Sequence, residues 1–180
     1  MTIAIIGATG QLGGHTVDAL LARGVPAGDI LALGRNTDRL AALAERGLRT
    51  ATVDVDDIDG TAATLTGADK LLLISFDSVG ARVAQHANAI EAARRAGVNH
   101  LVYTSVLHAP TTRLRLAADH KATEERITAS GIPATFLRNG WYTENHLPDF
   151  SAARERGVIA NSVGPGRIAT APRKDRKSVV

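Results

Sequence analysis

The sequence contains no cysteine. Disulfides and thiolate metal sites are therefore excluded, no metal site is expected, and a reducing cytoplasm is the expected setting. Aromatic residues are scarce, with one Trp, two Tyr and three Phe in 180 residues. No apolar run approaches membrane-spanning length. Nothing in the sequence resembles a signal peptide: Thr2-Ile3-Ala4-Ile5-Ile6 has no basic flank and runs straight into a glycine turn. A basic body is lacking as well, despite a sequence pI of 9.7. Five basic residues (Arg167, Arg173, Lys174, Arg176, Lys177) and one acid, Asp175, lie from residue 167 onward. The preceding 166 residues carry 16 bases and 17 acids, net −1. A near-neutral, aromatic-poor body excludes the usual nucleic-acid footprint. Neither a nucleic-acid nor a membrane partner is expected.

What is present is an alternation. A glycine ends a helix-like stretch and an apolar segment follows at Gly24-Val25, Gly47-Leu48, Gly67-Ala68, Gly97-Val98, Gly131-Ile132 and Gly157-Val158. Glycine just past a helix takes the left-handed cap conformation without a Cβ penalty. Strands are expected at Thr2–Ile6, Asp29–Leu33, Arg49–Val53, Lys70–Ser75, His100–Ser105 and Ala134–Arg138. Helices are expected at Gln11–Arg23, Asp38–Arg46, Asp59–Leu65, Gly80–Ala96 and Asp119–Ser130. The fourth helix places Val83, Ala87, Ile90 and Ala93 on one face. Leu107–Ala118 reads as the longest irregular piece, a loop over the site. Several strands are continuous apolar runs, as expected where both sheet faces are covered. The pattern predicts one α/β domain, a Rossmann-type doubly wound parallel sheet, over residues 1–173.

Gly7-Ala8-Thr9-Gly10-Gln11-Leu12-Gly13 follows the first strand and opens the first helix. In this G-x-x-G-x-x-G spacing Gly7 permits the tight turn, Gly10 lets backbone approach a pyrophosphate, and Gly13 brings helix close to strand. A helix N-terminus adds free N–H groups and partial positive charge. The pattern predicts a nicotinamide dinucleotide. An NAD site would carry Asp or Glu after the second strand, to accept from the ribose 2′-OH. This chain has Leu33-Gly34-Arg35-Asn36, which favours NADP(H) over NAD(H), with Arg35 on the 2′-phosphate. Arg39 is either a second contact or a residue of an exposed helix face. Asp54 either borders the adenine or is surface.

The acid–base apparatus of ordinary short-chain dehydrogenases, Ser with Tyr-x-x-x-Lys, is incomplete. Ser105 stands at the serine position, but Tyr103 is followed four residues on by Leu107 and Tyr142 by His146. At the Tyr and Lys spacing stand His120 and Glu124. Such an i,i+4 pair makes a helix-surface hydrogen bond more often than a proton relay. Standard alcohol dehydrogenation is not expected, and the sequence assigns no catalytic residue.

With these residues in view, the chain is identified as a member of the NmrA-like branch of atypical short-chain dehydrogenases, and it most resembles the bacterial NAD(P)H:quinone oxidoreductases of type 2. The resemblance runs to about residue 173. It rests on Gly7–Gly13, Arg35, Leu71-Leu72-Leu73-Ile74-Ser75, Tyr103-Thr104-Ser105 with His108-Ala109, and Leu137-Arg138-Asn139-Gly140-Trp141-Tyr142-Thr143-Glu144-Asn145. It implies a cofactor site made of Gly7, Ala8, Thr9, Gly10, Gln11, Leu12 and Arg35, with Ser75, Phe76, Asp77, Asn139, Gly140, Trp141, Tyr142, Thr143 and Glu144 flanking the nicotinamide half. Phe76-Asp77 departs from the small polar residues that the family tends to carry there, which bears on the substrate more than on the fold.

The implied reaction is two-electron reduction of a quinone by hydride from NADPH, with water able to protonate the product and positioning supplying most of the rate. The rival reading is a non-catalytic NAD(P)-sensing regulator of the NmrA-like type, and a third is an inactive fragment. The resemblance implies that the family continues into a C-terminal substrate portion, which is expected to be missing here. Asp175-Arg176-Lys177-Ser178-Val179-Val180 back-translates, with a following TAG stop, to a widely used sequencing adapter. Residues 174–180 are therefore expected to be a non-native tail, and Trp141 and Phe150 to be left exposed.

Overall fold

Six parallel strands form the central sheet of the computed structural model, which describes residues 1–78, 80–159 and 164–176. They are β1 (Ile3–Ile6), β2 (Ile30–Gly34), β3 (Arg49–Thr52), β4 (Lys70–Leu73), β5 (His100–Val106) and β6 (Ala134–Asn139). Their order across the sheet is β3-β2-β1-β4-β5-β6. Helices α1 (Gln11–Ala22), α2 (Thr37–Glu45), α3 (Ile58–Leu65), α4 (Arg82–Arg95) and α5 (Arg115–Ala129) make the crossovers. The expected doubly wound α/β architecture is observed, each strand within two residues of its expected bounds. All six glycines that punctuate the alternation have positive φ, from 70° to 87°.

Strand periodicity sorts the apolar side chains into two cores. Ile3 and Ile5, with Ile30, Ala32 and Leu72, pack against Val17 and Leu20 of α1 and Leu43 of α2. Ala4 and Ile6, with Leu31, Leu33, Leu71, Leu73, Leu101 and Tyr103, pack against Leu65 of α3, Ala89, Ile90 and Ala93 of α4, and Ile127 of α5. Each fully buried Leu or Ile stabilises by about 1.5–3 kcal/mol. The edge strand β3 is only partly covered, and its sequence Arg-Thr-Ala-Thr is correspondingly polar.

Two expectations need correction. Leu107–Ala118 is not irregular throughout, because α5 begins at Arg115. Its N-cap is Leu114, with no capping side chain and no acid in the first turn, so no start signal exists to be read. The buried face of α4 is Arg82, His86, Ala89, Ile90, Ala92 and Ala93, while Val83 and Ala87 are half-buried. Hydrophobic periodicity cannot count Arg82 and His86, which are buried because they are hydrogen-bonded.

Beyond β6 the chain forms β7 (Trp141–Tyr142), α6 (Leu147–Arg156), β8 (Thr170–Ala171) and the single turn α7 (Arg173–Arg176). β7 and β8 pair in parallel as a small second sheet, and α7 packs against α1. Of the segment 174–180 expected to be non-native, residues 177–180 lie outside the described residues.

Candidate cofactor site

The sheet order reverses at β1, whose neighbours β2 and β4 lead away in opposite directions. Crevices for ligands open at the C-terminal ends of strands at such a point. A cleft of about 750 Å³ lies there, lined from the ends of β1, β2, β4, β5 and β6.

Its floor is the glycine loop. Gly7 has φ +96°, and its N–H and that of Ala8 both donate to the Leu33 carbonyl, tying the loop to β2. Gly10 N–H closes a tight turn onto the Gly7 carbonyl at 3.0 Å. A Cβ on Gly13 would run into the Gly7 carbonyl oxygen and the Ala8 backbone, so α1 lies as close to the loop as backbone allows. Gly10 itself is exposed, and a Cβ there would meet only the Gly7 oxygen, at 3.3 Å. No side chain caps α1, and its first turn holds no acid. This is a cradle of backbone donors that suits an anionic diphosphate.

Arg35 lies at the rim, exposed, and makes no hydrogen bond or ion pair among the described residues. Asn36 caps α2 by accepting from Arg39 N–H at 2.9 Å. The Arg39 guanidinium donates to the Thr9 carbonyl at 2.7 Å, so this exposed side chain braces the glycine loop. Asp54 lines the cleft and accepts from Asp56 N–H.

After β4, beside the loop, Ser75, Phe76 and Asp77 border the cleft. Ser75 N–H donates to Thr104 Oγ1 at 2.8 Å, Phe76 N–H to His86 Nε2 at 3.1 Å, and Arg82 Nε to the Phe76 carbonyl at 2.6 Å. The Phe76 ring is half-buried against His86, with ring centres 4.8 Å apart. Asn139 is buried at the end of β6 and donates from Nδ2 to the Tyr142 hydroxyl at 3.2 Å. Gly140, Trp141 and Tyr142 continue the wall.

Most of the sequence-predicted site residues thus meet in one cleft, and three do not line it. Ala8 is buried beneath the loop. Thr143 donates to Thr170 Oγ1 of β8. Glu144 accepts the Arg173 backbone N–H at 2.9 Å. Burial pushes the Glu144 carboxyl up, but backbone N–H groups and the Arg173 charge outweigh it and hold the group below the ordinary range. Trp141 and Phe150 are 42% and 57% exposed, as expected.

The pairing weighed for His120 and Glu124 is corrected by the structure. Both residues are buried rather than at the helix surface, and each has a partner on another element. His120 Nδ1 lies 2.8 Å from the Tyr103 hydroxyl. Glu124 accepts from Ser105 Oγ at 2.6 Å and from Arg138 Nε and Nη2 at 3.0 and 2.7 Å. Burial raises the Glu124 carboxyl, and the Arg138 and Ser105 hydrogen bonds bring it below its ordinary value. Sequence reasoning missed Arg82 and His86, and gave no site role to Arg173 or to Thr104 and Asn145, which stood only within the segments that carry the resemblance. No local signal tied Arg173 to the cleft.

Comparison with known proteins bears directly on this cleft. Residues 7–169 match the NAD(P)H-binding family. The chain belongs to that family. It is 47% identical to quinone oxidoreductase 2 of Escherichia coli K12 over 173 residues, which is 96% of this chain and 60% of the relative. The crystal structure of an NADPH-dependent quinone oxidoreductase of E. coli complexed with NADPH superposes with a TM-score of 0.94 at 46% identity, covering 98% of this chain and 62% of that one. The triphenylmethane reductase of Citrobacter sp., complexed with NADP(H), superposes at 0.91 and 37% identity, covering 98% and 63%. This NAD(P)H-binding chain thus spans about 60% of the length of the curated relative. Among the described residues no helix is long and apolar enough to cross a membrane, and no cluster of His, Asp and Glu is arranged to hold a metal ion.

Proposed function

We propose that this chain is the cofactor-binding part of an NADPH-dependent quinone reductase. The observation that carries the reading is the convergence, in one cleft, of the capless glycine loop, of Arg35, unpaired among the described residues, and of the Asn139–Tyr142 wall. The 47% identity to a quinone oxidoreductase supports the same reading.

In this reading the Gly7–Leu12 backbone holds the pyrophosphate. Arg35 holds the 2′-phosphate through a charge-assisted bond worth about 1.5–3 kcal/mol, roughly a tenfold to hundredfold preference for NADPH over NADH. Ser75–Asp77 and Asn139–Tyr142 flank the nicotinamide half, and the bound nicotinamide supplies a hydride. The chain's own contribution is to orient the acceptor and to exclude water around it. A cytoplasmic setting belongs to the same proposal and rests on the absence of cysteine.

The test has two stages. Titration calorimetry should show NADPH binding at least tenfold tighter than NADH. Loss of reduced-nicotinamide absorbance should then depend on an added simple quinone. Equal affinities would remove the NADPH assignment. Tight NADPH binding without turnover on any quinone would remove the reductase assignment for this chain.

A further inference from the structure

Two histidines lie beneath the cleft between α4, α5 and β5, and their hydrogen bonds determine where each ring carries its proton. The Phe76 backbone N–H can only donate, so His86 Nε2 accepts it. The neutral His86 ring then carries hydrogen on Nδ1, 2.9 Å from Thr123 Oγ1, and the Thr123 hydroxyl donates onward to the Asp119 carbonyl at 2.8 Å. Both nitrogens of His86 are occupied, so this residue is a fastening between the loop after β4, α4 and α5.

His120 differs. Burial pushes the Tyr103 phenol up to about 12, so it remains protonated. An imidazole nitrogen is a much better acceptor than a phenol oxygen, so Tyr103 donates to His120 Nδ1 across 2.8 Å. Burial, followed by the Arg82 charge, holds His120 down at about 4, with Asp119 and Glu124 pulling weakly the other way. The ring is therefore neutral, and its one hydrogen sits on Nε2. That Nε2–H has no hydrogen-bond partner among the described residues, although His120 is only 7% exposed and lines the cleft. A buried donor without an acceptor is costly, and an acceptor on a ligand removes the cost.

We propose that His120, held in its Nε2–H form by Tyr103, donates a hydrogen bond to the carbonyl oxygen that gains negative charge when a conjugated carbonyl substrate, such as a quinone, is reduced. The inference rests on the reading under Proposed function and deepens it. A quinone that accepts a hydride keeps the added electron pair as charge on oxygen, and a donor placed where that charge appears lowers the barrier. Water supplies the proton that completes the hydroquinone, so His120 ends the reaction as neutral as it began. Arg82 lines the same cleft, held between the Phe76 carbonyl and Asp119 at 2.6 and 3.1 Å, and adds positive potential. Glu124 is not available for this task because Ser105 and Arg138 take both its oxygens. Tyr103 is a positioning residue, since it acts only through His120.

The test uses the 180-residue chain with NADP⁺ bound and two readouts other than activity. Long-range proton–nitrogen spectra of histidine-labelled protein should show His120 as the Nε2–H tautomer, and Tyr103→Phe should give a tautomer mixture while His86 stays unchanged. Absorbance titration with 4-nitrophenolate, a stable phenolate, should show affinity falling at least about tenfold in His120→Ala and largely restored in His120→Gln, which keeps a neutral N–H. An Nδ1–H tautomer in the unmodified protein, no phenolate binding, or equal affinity in His120→Ala overturns the proposal. Phenolate binding through His120 without reduction of any quinone upholds the donor and overturns the quinone reading instead.

Discussion

The guanidinium of Arg173 stands 4.5 Å above the centre of the Tyr142 ring. The same residue donates from its side chain to Asn145 Oδ1 at 2.8 Å and from its backbone to the Glu144 carboxylate. With the pairing of β7 and β8, these contacts bring residues 170–173 back onto the wall that carries Asn139 and Trp141.

Arg173→Ala should therefore loosen that wall. The stacking contributes about 0.5–1 kcal/mol at a partly exposed site, and the Asn145 bond a similar amount. Trp141 is the single tryptophan, so its fluorescence reads the neighbourhood directly. Quenching by iodide should increase in the variant, with cofactor affinity reduced several-fold. Unchanged quenching would mean that β8 holds the wall without Arg173.

Arg35 tests the choice of cofactor. It is exposed and unpaired among the described residues, so removing it costs the fold little. Arg35→Ala should weaken NADPH by roughly tenfold to a hundredfold and leave NADH nearly unchanged. Parallel losses for both dinucleotides in calorimetry would transfer the 2′-phosphate role elsewhere, with Arg39 the next candidate.

The glycines of the loop should separate by phenotype. At Gly10 a Cβ meets only one backbone oxygen, and φ is −82°. Gly10→Val should leave the circular dichroism and melting curve close to those of the parent but abolish dinucleotide binding. At Gly13 a single Cβ collides with backbone, so Gly13→Ala should cost about 1–3 kcal/mol as an overpacked contact. If Gly10→Val binds NADPH normally, the diphosphate does not rest on this loop.

The buried histidines predict a stability profile in pH. Burial, then neighbouring positive charge, lowers His86 to about 3 and His120 to about 4, against 6.5 in the unfolded chain. Between those values the unfolded state binds more protons, so stability is full above about pH 6.5 and is lost progressively as pH falls toward 4 and then 3. The melting temperature should drop steadily from pH 7 to pH 4.5. His86→Gln, which keeps an acceptor for Phe76 N–H, should flatten that slope at a cost at neutral pH. An equal slope in the variant would assign the acid sensitivity to other groups.

Much of this molecule was legible in its sequence, because much of it is determined locally. A glycine just past a helix announces itself through its tolerance of positive φ, and six of them marked the alternation. Continuous apolar runs such as Leu71-Leu72-Leu73-Ile74 told of a sheet covered on both faces. The run Gly7–Gly13 predicted the turn, the close helix and the open backbone together, since each depends on the lack of a Cβ at one position. Arg35 was legible because it directly follows a strand whose end the alternation had located.

What the sequence left open depends on partners distant along the chain. His120 and Glu124 are four residues apart, yet they bond to Tyr103, Ser105 and Arg138 on β5 and β6 rather than to each other. Only the packing of α5 on that side of the sheet brings those partners within reach. Arg82 and His86 read as polar interruptions of an apolar face, and became buried because the Phe76 backbone and Asp119 of another helix satisfy them. Arg173 met Tyr142, 31 positions earlier, through the pairing of two-residue strands too short to carry any sequence period. Local chemistry thus determined the elements and the cradle, while the choice among hydrogen-bond partners was decided by tertiary structure, because a buried donor takes the acceptor that packing places beside it.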